Sequence, residues 1–420
     1  MAANTISKII IVGAGPSGLL LGILLSKAKI QVTLLDQASA LDTNPRAAHC
    51  AHSSVRELRR AGVLEKVQAE GFCPTGVCWR NTNGEILGGI HVDLSNEDST
   101  VCLPLDLFDG ILLREFEGQG CAEMLWNHKV VGVEQSEGKA RVRVRTREGE
   151  KMLGADYVVG CDGANSTVRK CLYGDEFPGI TLESQIIATN VYYDFAQFDY
   201  CDSQFILDPK DWFMAARITR DGMWRVTYGD VPGLTTEKYL ARLPMRYEQI
   251  LPGKPKPGGY KLTNASPYKL HQRCVPKMRV GRILLAADAA HLCNPFGGMG
   301  LTGGIADITS LFDCLIALQN GLTDDSILDA YSEVRIQKWK EIINPSSLAN
   351  FNRLWNENVA GERKAFFERC KAMEEDEGLR KSNMAVSIIW VLIHSCGYLL
   401  ILRQNSYILN EDMTPYFRKP

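Results

Sequence analysis

Three glycines and one acid carry the first chemical information in this chain. In "KIIIVGAGPSGLLLGILLSKAKIQVTLLDQ", residues 8–37, Gly13, Gly15 and Gly18 form GxGxxG, with Pro16 and Ser17 inside it. The first glycine permits a tight turn, the second lets a pyrophosphate approach bare backbone, and the third lets helix and strand pack closely. The phosphates then meet unpaired N–H groups at a helix N-terminus. Asp36 closes the next apolar run. A carboxylate there binds ribose hydroxyls and repels a 2′-phosphate, which favours FAD or NAD over NADP as the tightly held nucleotide. The motif alone does not separate those two.

The bulk composition narrows the field. The chain has 420 residues, 45% hydrophobic and 23% charged, with a net charge of −2. That length allows two or three domains, and the charge offers no case for a nucleic-acid partner. The locally basic "RVRVRTREGEK" from Arg141 alternates Val with Arg and reads as a strand with one wet face. Thirteen cysteines are scattered without a CxxC pair or zinc spacing, so no metal is expected. They read as reduced thiols of a cytoplasmic protein without a secretory leader. Residues 384–402, "MAVSIIWVLIHSCGYLLIL", are nearly uncharged and reach the lower limit of a membrane span. A buried helix, a membrane-surface helix and a span all fit that pattern.

The elements that must position these groups follow from periodicity. Residues 8–12 read as a strand, 17–28 as a helix and 31–36 as a second strand, a βαβ unit opening a doubly wound sheet. Residues 54–69 look helical, and 71–104 carry short strands and turns. A helix near 105–118 and strands near 129–146 follow. Residues 180–270 are strand-rich and aromatic, with a Pro/Gly loop at 251–260. A buried strand at 282–291 leads into a long helix, and helical patterns run to about 376. The expected fold class is α/β. A Rossmann-like dinucleotide domain takes residues 1–70, 105–178 and 275–330. An inserted mixed β-sheet substrate domain takes 71–104 and 179–274, and C-terminal helices take 331–420.

Two further stretches decide the nucleotide. "CDGANSTVR", residues 161–169, and "LLAADAAHLCNPFGGMGLTGGIADITSL", from Leu284, stand with the opening motif in a fixed order. Together they resemble the class A flavoprotein monooxygenases, the para-hydroxybenzoate hydroxylase-like family, and most of all its fungal branch. The resemblance implies bound FAD. Gly13, Gly15 and Gly18 would hold its pyrophosphate, Asp36 its adenosine ribose, and Arg46 would lie near pyrophosphate and flavin. Asp162 and Gly163 would serve FAD and NAD(P)H, and Asp288 the ribityl or phosphate end. Pro295 would sit beside the ring, with the N–H groups of Gly298, Met299, Gly300 and Leu301 at its pyrimidine edge. A helix N-terminus there would stabilise the negative charge of a reduced flavin. Ala287 stands where the family writes glycine, and Thr302 where it often writes asparagine. The arginine or glutamine common before the 105–118 helix is absent, with Arg114 the nearest substitute.

The resemblance also implies a reaction. NAD(P)H reduces the flavin, oxygen adds at flavin C4a as a hydroperoxide, and a hydroxyl passes to an electron-rich aromatic carbon. Arg217 aligns with an arginine that grips a substrate carboxylate, which a guanidinium does bidentately. Phe205 replaces a substrate-side tyrosine, leaving Tyr193 and Tyr228 (with Tyr192) as catalytic candidates and His271 as a candidate base. The outcome would be hydroxylation beside a phenol, or at a carboxylated carbon with loss of carbon dioxide. A terpenoid or alkene epoxidase and a flavin-binding protein without oxygenase activity are the alternatives. NADH against NADPH stays open, and a homodimer and a membrane contact through 384–402 are both compatible with the sequence.

Overall fold

The structure is a computed structural model that describes residues 6–376 apart from 47–48, 93–96 and 137. The apolar stretch 384–402 therefore lies outside the described residues. Among the described residues one helix, Met299–Gln319, is long and apolar enough to cross a membrane. It is a core helix, with Ile305, Ile308, Leu311 and Leu315 at most 1% exposed.

The strand Lys8–Val12 is apolar on both faces and pairs in parallel with Gln31–Leu35, Ile10 opposite Thr33. The helix Pro16–Lys27 joins them. It is apolar almost all round because it is enclosed by the sheet and by the helices Leu105–Glu117 and Met299–Gln319. Gly22 marks one close approach: a Cβ there would stand 2.7 Å from the Phe116 ring. The completed sheet has six strands in the order Arg279–Val280, Ile283–Leu285, Tyr157–Gly160, Lys8–Val12, Gln31–Leu35, Ala122–Leu125. Three antiparallel strands, Lys129–Ser136, Lys139–Thr146 and Gly149–Ala155, stand beside it. In the middle strand Val142 and Val144 are fully buried while Arg143 and Arg145 reach Glu150 in solvent, the wet-faced strand expected from the alternation.

A second sheet has eight strands, in the order His291–Leu292, Lys261–Cys274, Gly179–Tyr192, Met223–Asp230, Phe213–Arg217, Ser203–Leu207, Gly76–Asn81, Ile86–His91. The two-residue period divides its faces. Ile187, Val191, Phe213, Ala215, Trp224, Val226 and Tyr228 pack with Tyr239, Leu243 and Tyr247 of the helix Thr236–Ile250. Trp79, Ile186, Leu207 and Trp212 form a core on the opposite side with Phe296, Phe351 and Phe366. The helix Thr236–Ile250 was not expected from the sequence, because it carries Pro244 in its interior. A proline there costs about 3 kcal/mol; burial of the Tyr239, Leu243 and Tyr247 side chains, each worth ~2 kcal/mol, offsets it.

Ala287 adopts φ +54°, in the left-handed region. The conformation that suits glycine is kept although the glycine is not. A left-handed alanine costs about 1–2 kcal/mol, and glycine would give back ~0.5–1 kcal/mol in chain entropy. Ala287→Gly is therefore expected to raise stability by up to about 1 kcal/mol, read as a small rise in the urea midpoint; a lower midpoint would show the strain is not there.

Candidate active site

The three sequence motifs converge. A Cβ on Gly13, at φ +108°, would lie 2.4 Å from the Cys161 carbonyl oxygen, so the first and second motifs touch through bare backbone. A Cβ on Gly18 would lie 2.0 Å from the Gly13 carbonyl oxygen, and one on Gly304 would lie 2.9 Å from the Ala287 Cβ and 3.0 Å from the Ser17 Oγ. Gly15 is different: a Cβ there meets nothing within 4 Å. No side chain caps the helix it opens, with Pro16 in its first turn, so free N–H groups face that open space. Asp36 sits at the end of its strand and accepts hydrogen bonds from the Ala14 and Ala38 N–H groups, both at 2.8 Å.

Asp162 holds the N-terminus of the helix Thr167–Tyr173, accepting from the Ser166 hydroxyl, the Thr167 N–H at 2.6 Å and the Val168 N–H at 3.2 Å. Burial raises its pKa, and those donors oppose the rise. Arg169 of the same motif donates to the Ala289 carbonyl at 3.1 Å, tying the second motif to the third. Gly163, at φ +74°, faces open space.

In the third motif Asp288 receives no hydrogen bond from the described residues. The residue is exposed, yet protein packed around it desolvates the carboxyl. That desolvation raises its pKa against the pull of His291 and Arg46. Its neighbours are fixed by a buried network: Asp307 accepts from the Ala287 N–H at 2.9 Å, from Arg335 Nε at 2.7 Å, and bonds His291 Nε2 at 2.7 Å. After Pro295, Gly297 and Gly298 take φ +108° and +65° and turn the chain into the helix Met299–Gln319. No side chain caps that helix, and a Cβ on Gly298 or Gly300 would meet nothing within 4 Å. Its first N–H groups, up to Leu301, therefore open on free space and can meet an anion or a carbonyl oxygen. Thr302 turns inward and donates to the Gly298 carbonyl.

Arg46 is exposed and bonds Asp42 at 2.6 Å. Its carbonyl accepts from the Leu105 N–H at 2.9 Å, so the loop is held by backbone where the expected arginine or glutamine is missing. Arg114 bonds Glu70 in solvent and is no substitute. Asp109, on the buried side of the same helix, was missed. One of its carboxylate oxygens has no partner, and burial pushes its pKa up to about 8 against the pull of Arg46.

The catalytic expectations need correcting. Tyr228 points to the face covered by Thr236–Ile250, fully buried beside Tyr247, and its hydroxyl has no partner. Tyr193 donates to the Pro252 carbonyl at 2.5 Å and stacks among Phe195 and Phe198 beyond the strand end. Arg217 donates through Nε to the Thr219 carbonyl at 3.0 Å and through Nη2 to the Arg220 carbonyl at 2.6 Å, with Nη1 3.5 Å from Asp202. It closes its own turn and offers no fork to a carboxylate. His271 bonds the Thr181 hydroxyl on a partly exposed strand. Tyr228→Phe is accordingly expected to leave turnover within about twofold and to be neutral or slightly stabilising, since it removes an unpaired buried hydroxyl. A tenfold loss of kcat would restore a catalytic role.

The other sheet face is where polar groups gather. Across it run three rows: Ser203, Ala216, Arg225, Asn190, Asn264; then Phe205, Met214, Thr227, Ala188, Ser266; then Gly229, Ile186, Tyr268. Asn190 donates to the Pro45 carbonyl at 2.6 Å, beside Arg46, and accepts from Arg225 Nη1 at 2.9 Å. Phe296, next to Pro295, packs on Trp212 at 5.6 Å. The first row thus reaches the Arg46 loop, the third the Pro295 turn, and the middle row lies between. Arg225 and Tyr268 went unnoticed in the sequence, although "MWRVTYG" alternates apolar and polar residues around Arg225.

Comparison with known proteins agrees with this geometry. The chain is 33% identical over 352 residues to para-nitrophenol 4-monooxygenase of Pseudomonas sp. (strain WBC-3), covering 83% of this chain and 87% of that protein. It is 30% identical to 6-hydroxy-3-succinoylpyridine 3-monooxygenase of Pseudomonas putida (strain DSM 28022 / S16), covering 88% and 94%. The crystal structure of p-nitrophenol 4-monooxygenase from Pseudomonas putida DLL-E4 superposes with a TM-score of 0.83 at 32% identity, covering 90% of this chain and 98% of that one. Aklavinone-11 hydroxylase in complex with FAD and aklavinone shares the fold, with a TM-score of 0.73 at 21% identity, over 86% and 71% of the two chains. Residues 7–346 match the model of the FAD binding domain family, and the chain belongs to that family as a class A flavoprotein monooxygenase.

Proposed function

We propose that the chain hydroxylates a phenolic ring, consuming one NAD(P)H and one O2 and releasing water. The observation that carries this reading is the placement of the mixed polar and apolar sheet face between the Arg46 loop and the Pro295 turn. The open helix end at Gly298–Leu301, which follows that turn in the chain, suits a flavin ring. FAD, when bound, supplies the two-electron chemistry that activates oxygen. The chain's own work is to hold and shield. Gly15 and the helix it opens take the pyrophosphate, Asp36 the ribose, Asp288 the polar linker, and the N–H groups of 298–301 the electron-rich edge of the ring system. Phe205, Met214 and Phe296 exclude water from the ring to be oxidised. The relatives named for para-nitrophenol make para-substituted phenols the first substrates to try. The decarboxylating route loses its motive, because Arg217 is engaged in its own turn. Para-substituted phenols should stimulate NAD(P)H oxidation by the FAD-loaded enzyme and yield a product heavier by one oxygen atom or, where the oxygen enters at a carbon bearing a nitro group, a quinone with release of nitrite. NAD(P)H consumption that ignores every phenol, or yields only peroxide, would defeat the reading.

A further inference from the structure

Arg225 is a guanidinium on the cleft side of the sheet with no carboxylate partner among the described residues. It donates to Asn190 at 2.9 Å and comes close to the Tyr268 hydroxyl, two neutral groups. Buried or half-buried charges are ordinarily paired, because an uncompensated one is costly. Desolvation holds its pKa below the usual arginine range, and the nearby positive charge of Arg46 adds to the same effect. The chain therefore keeps an unmatched positive charge where a ring would be oxidised. Resting on the reading above, we propose that Arg225 and Tyr268 form an oxyanion clamp that selects substrates entering as ring-bound oxygen anions, that is, as phenolates.

The geometry favours a single oxygen over a carboxylate. Asn190 and Tyr268 lie two rows apart, about 13 Å along the strand. To bond Asn190 and also approach Tyr268, the Arg225 side chain must lie along the sheet over Thr227 and Ala188, both 1% exposed. One arm of its fork is thus held by Asn190 and the fork is not free to meet two oxygens side by side. No described residue receives the Tyr268 O–H proton, which leaves it for a ligand. Two donors from different residues converging on one point suit one anionic oxygen, whereas a carboxylate suits an open fork. A phenolate bound this way keeps its ring electron-rich, as an electrophilic oxygen requires, without a protein base in the cleft.

The test uses FAD-loaded full-length protein at one fixed pH, with ring binding read from the perturbed flavin absorption. Three probes are compared: 4-nitrophenol, ionised near neutrality; 4-nitroanisole, its neutral analogue; and benzoate. Wild type should bind 4-nitrophenol at least about 30-fold more tightly than 4-nitroanisole. Arg225→Met should weaken the phenolate by roughly 100-fold, leave the anisole unchanged and erase the preference. Tyr268→Phe should weaken the phenolate by about tenfold. FAD content, measured in each variant, shows whether the fold survives. Should Arg225→Met unfold, Tyr268→Phe and Arg225→Lys, which keeps the charge but loses the planar fork, still decide the matter. The clamp is overturned if any folded Arg225 variant without the charge keeps the phenolate preference, or if Tyr268→Phe and Arg225→Lys both bind like wild type. It is also overturned if benzoate binds more tightly than the phenolate in an Arg225-dependent way, since the site would then be built for a carboxylate. A clamp that fails while phenols still drive oxygen insertion leaves the proposed function standing. FAD-loaded protein on which no phenol binds or stimulates NAD(P)H oxidation would end both.

Discussion

Gly15→Val is expected to leave the fold intact and to lower FAD affinity by at least about 100-fold, ~2.7 kcal/mol. The backbone at Gly15 has φ −79° and ψ 180°, which any residue adopts. A Cβ there touches no protein atom within 4 Å, so the fold has no reason to resist the larger side chain. The space it would fill is the space that a pyrophosphate needs in order to reach the uncapped N–H groups behind it. Gly18→Ala serves as the contrast. Its Cβ would stand 2.0 Å from the Gly13 carbonyl oxygen, so the helix must lift from the loop and stability itself must fall by several kcal/mol. Thermal unfolding of the two apo variants, with flavin fluorescence titrations of Gly15→Val, separates the cases. Gly15→Val protein that takes up FAD as wild type does would mean that the phosphates lie elsewhere.

The same contrast explains what was legible in the sequence. Close backbone contact admits only glycine, so Gly13 and Gly18 announce themselves by type and spacing. The helix opening at Gly298 is visible for the same reason. The cleft face is another matter. In residues 224–228 both alternating sets are plausible linings: Trp224, Val226 and Tyr228, or Arg225 and Thr227. Which set faces the cleft depends on which set a helix covers. That helix, Thr236–Ile250, is interrupted by Pro244, and without it Tyr228 looked available. Arg217 misled in a different way: its partners are the carbonyls of Thr219 and Arg220, within its own turn, and backbone acceptors leave no mark on a sequence. Asp307 was passed over as an ordinary helix residue because its partners lie 16 and 28 residues away.

Asp307 nevertheless supports the largest stability prediction. It is fully buried, as is Arg335, and His291 is 3% exposed. Burial by itself would raise the Asp307 carboxyl; the charges of His291 and Arg335 and their hydrogen bonds outweigh it and hold the pKa down to about 2. Asp307→Asn keeps the shape but turns an acceptor of three hydrogen bonds into a group with its own donor, and it removes the Asp307 charge from beside the buried Arg335. Removing one partner of a buried pair typically costs about 3–5 kcal/mol, so a drop of that size is expected in urea unfolding at pH 7. An unfolded aspartate titrates near ~3.9, above the folded value, so the stabilising contribution is complete above about pH 4. It fades as the pH falls toward 2, by about 2.5 kcal/mol in total. The gap between wild type and Asp307→Asn should therefore narrow across that window and stay constant above it. The effect should reach the cofactor as well, because the Ala287 N–H that Asp307 holds fixes the turn presenting Asp288. FAD should leave the variant at lower urea concentrations than those that unfold its sheets. Identical midpoints at pH 7, or a gap that widens on acidification, would show that the buried network does not hold this loop.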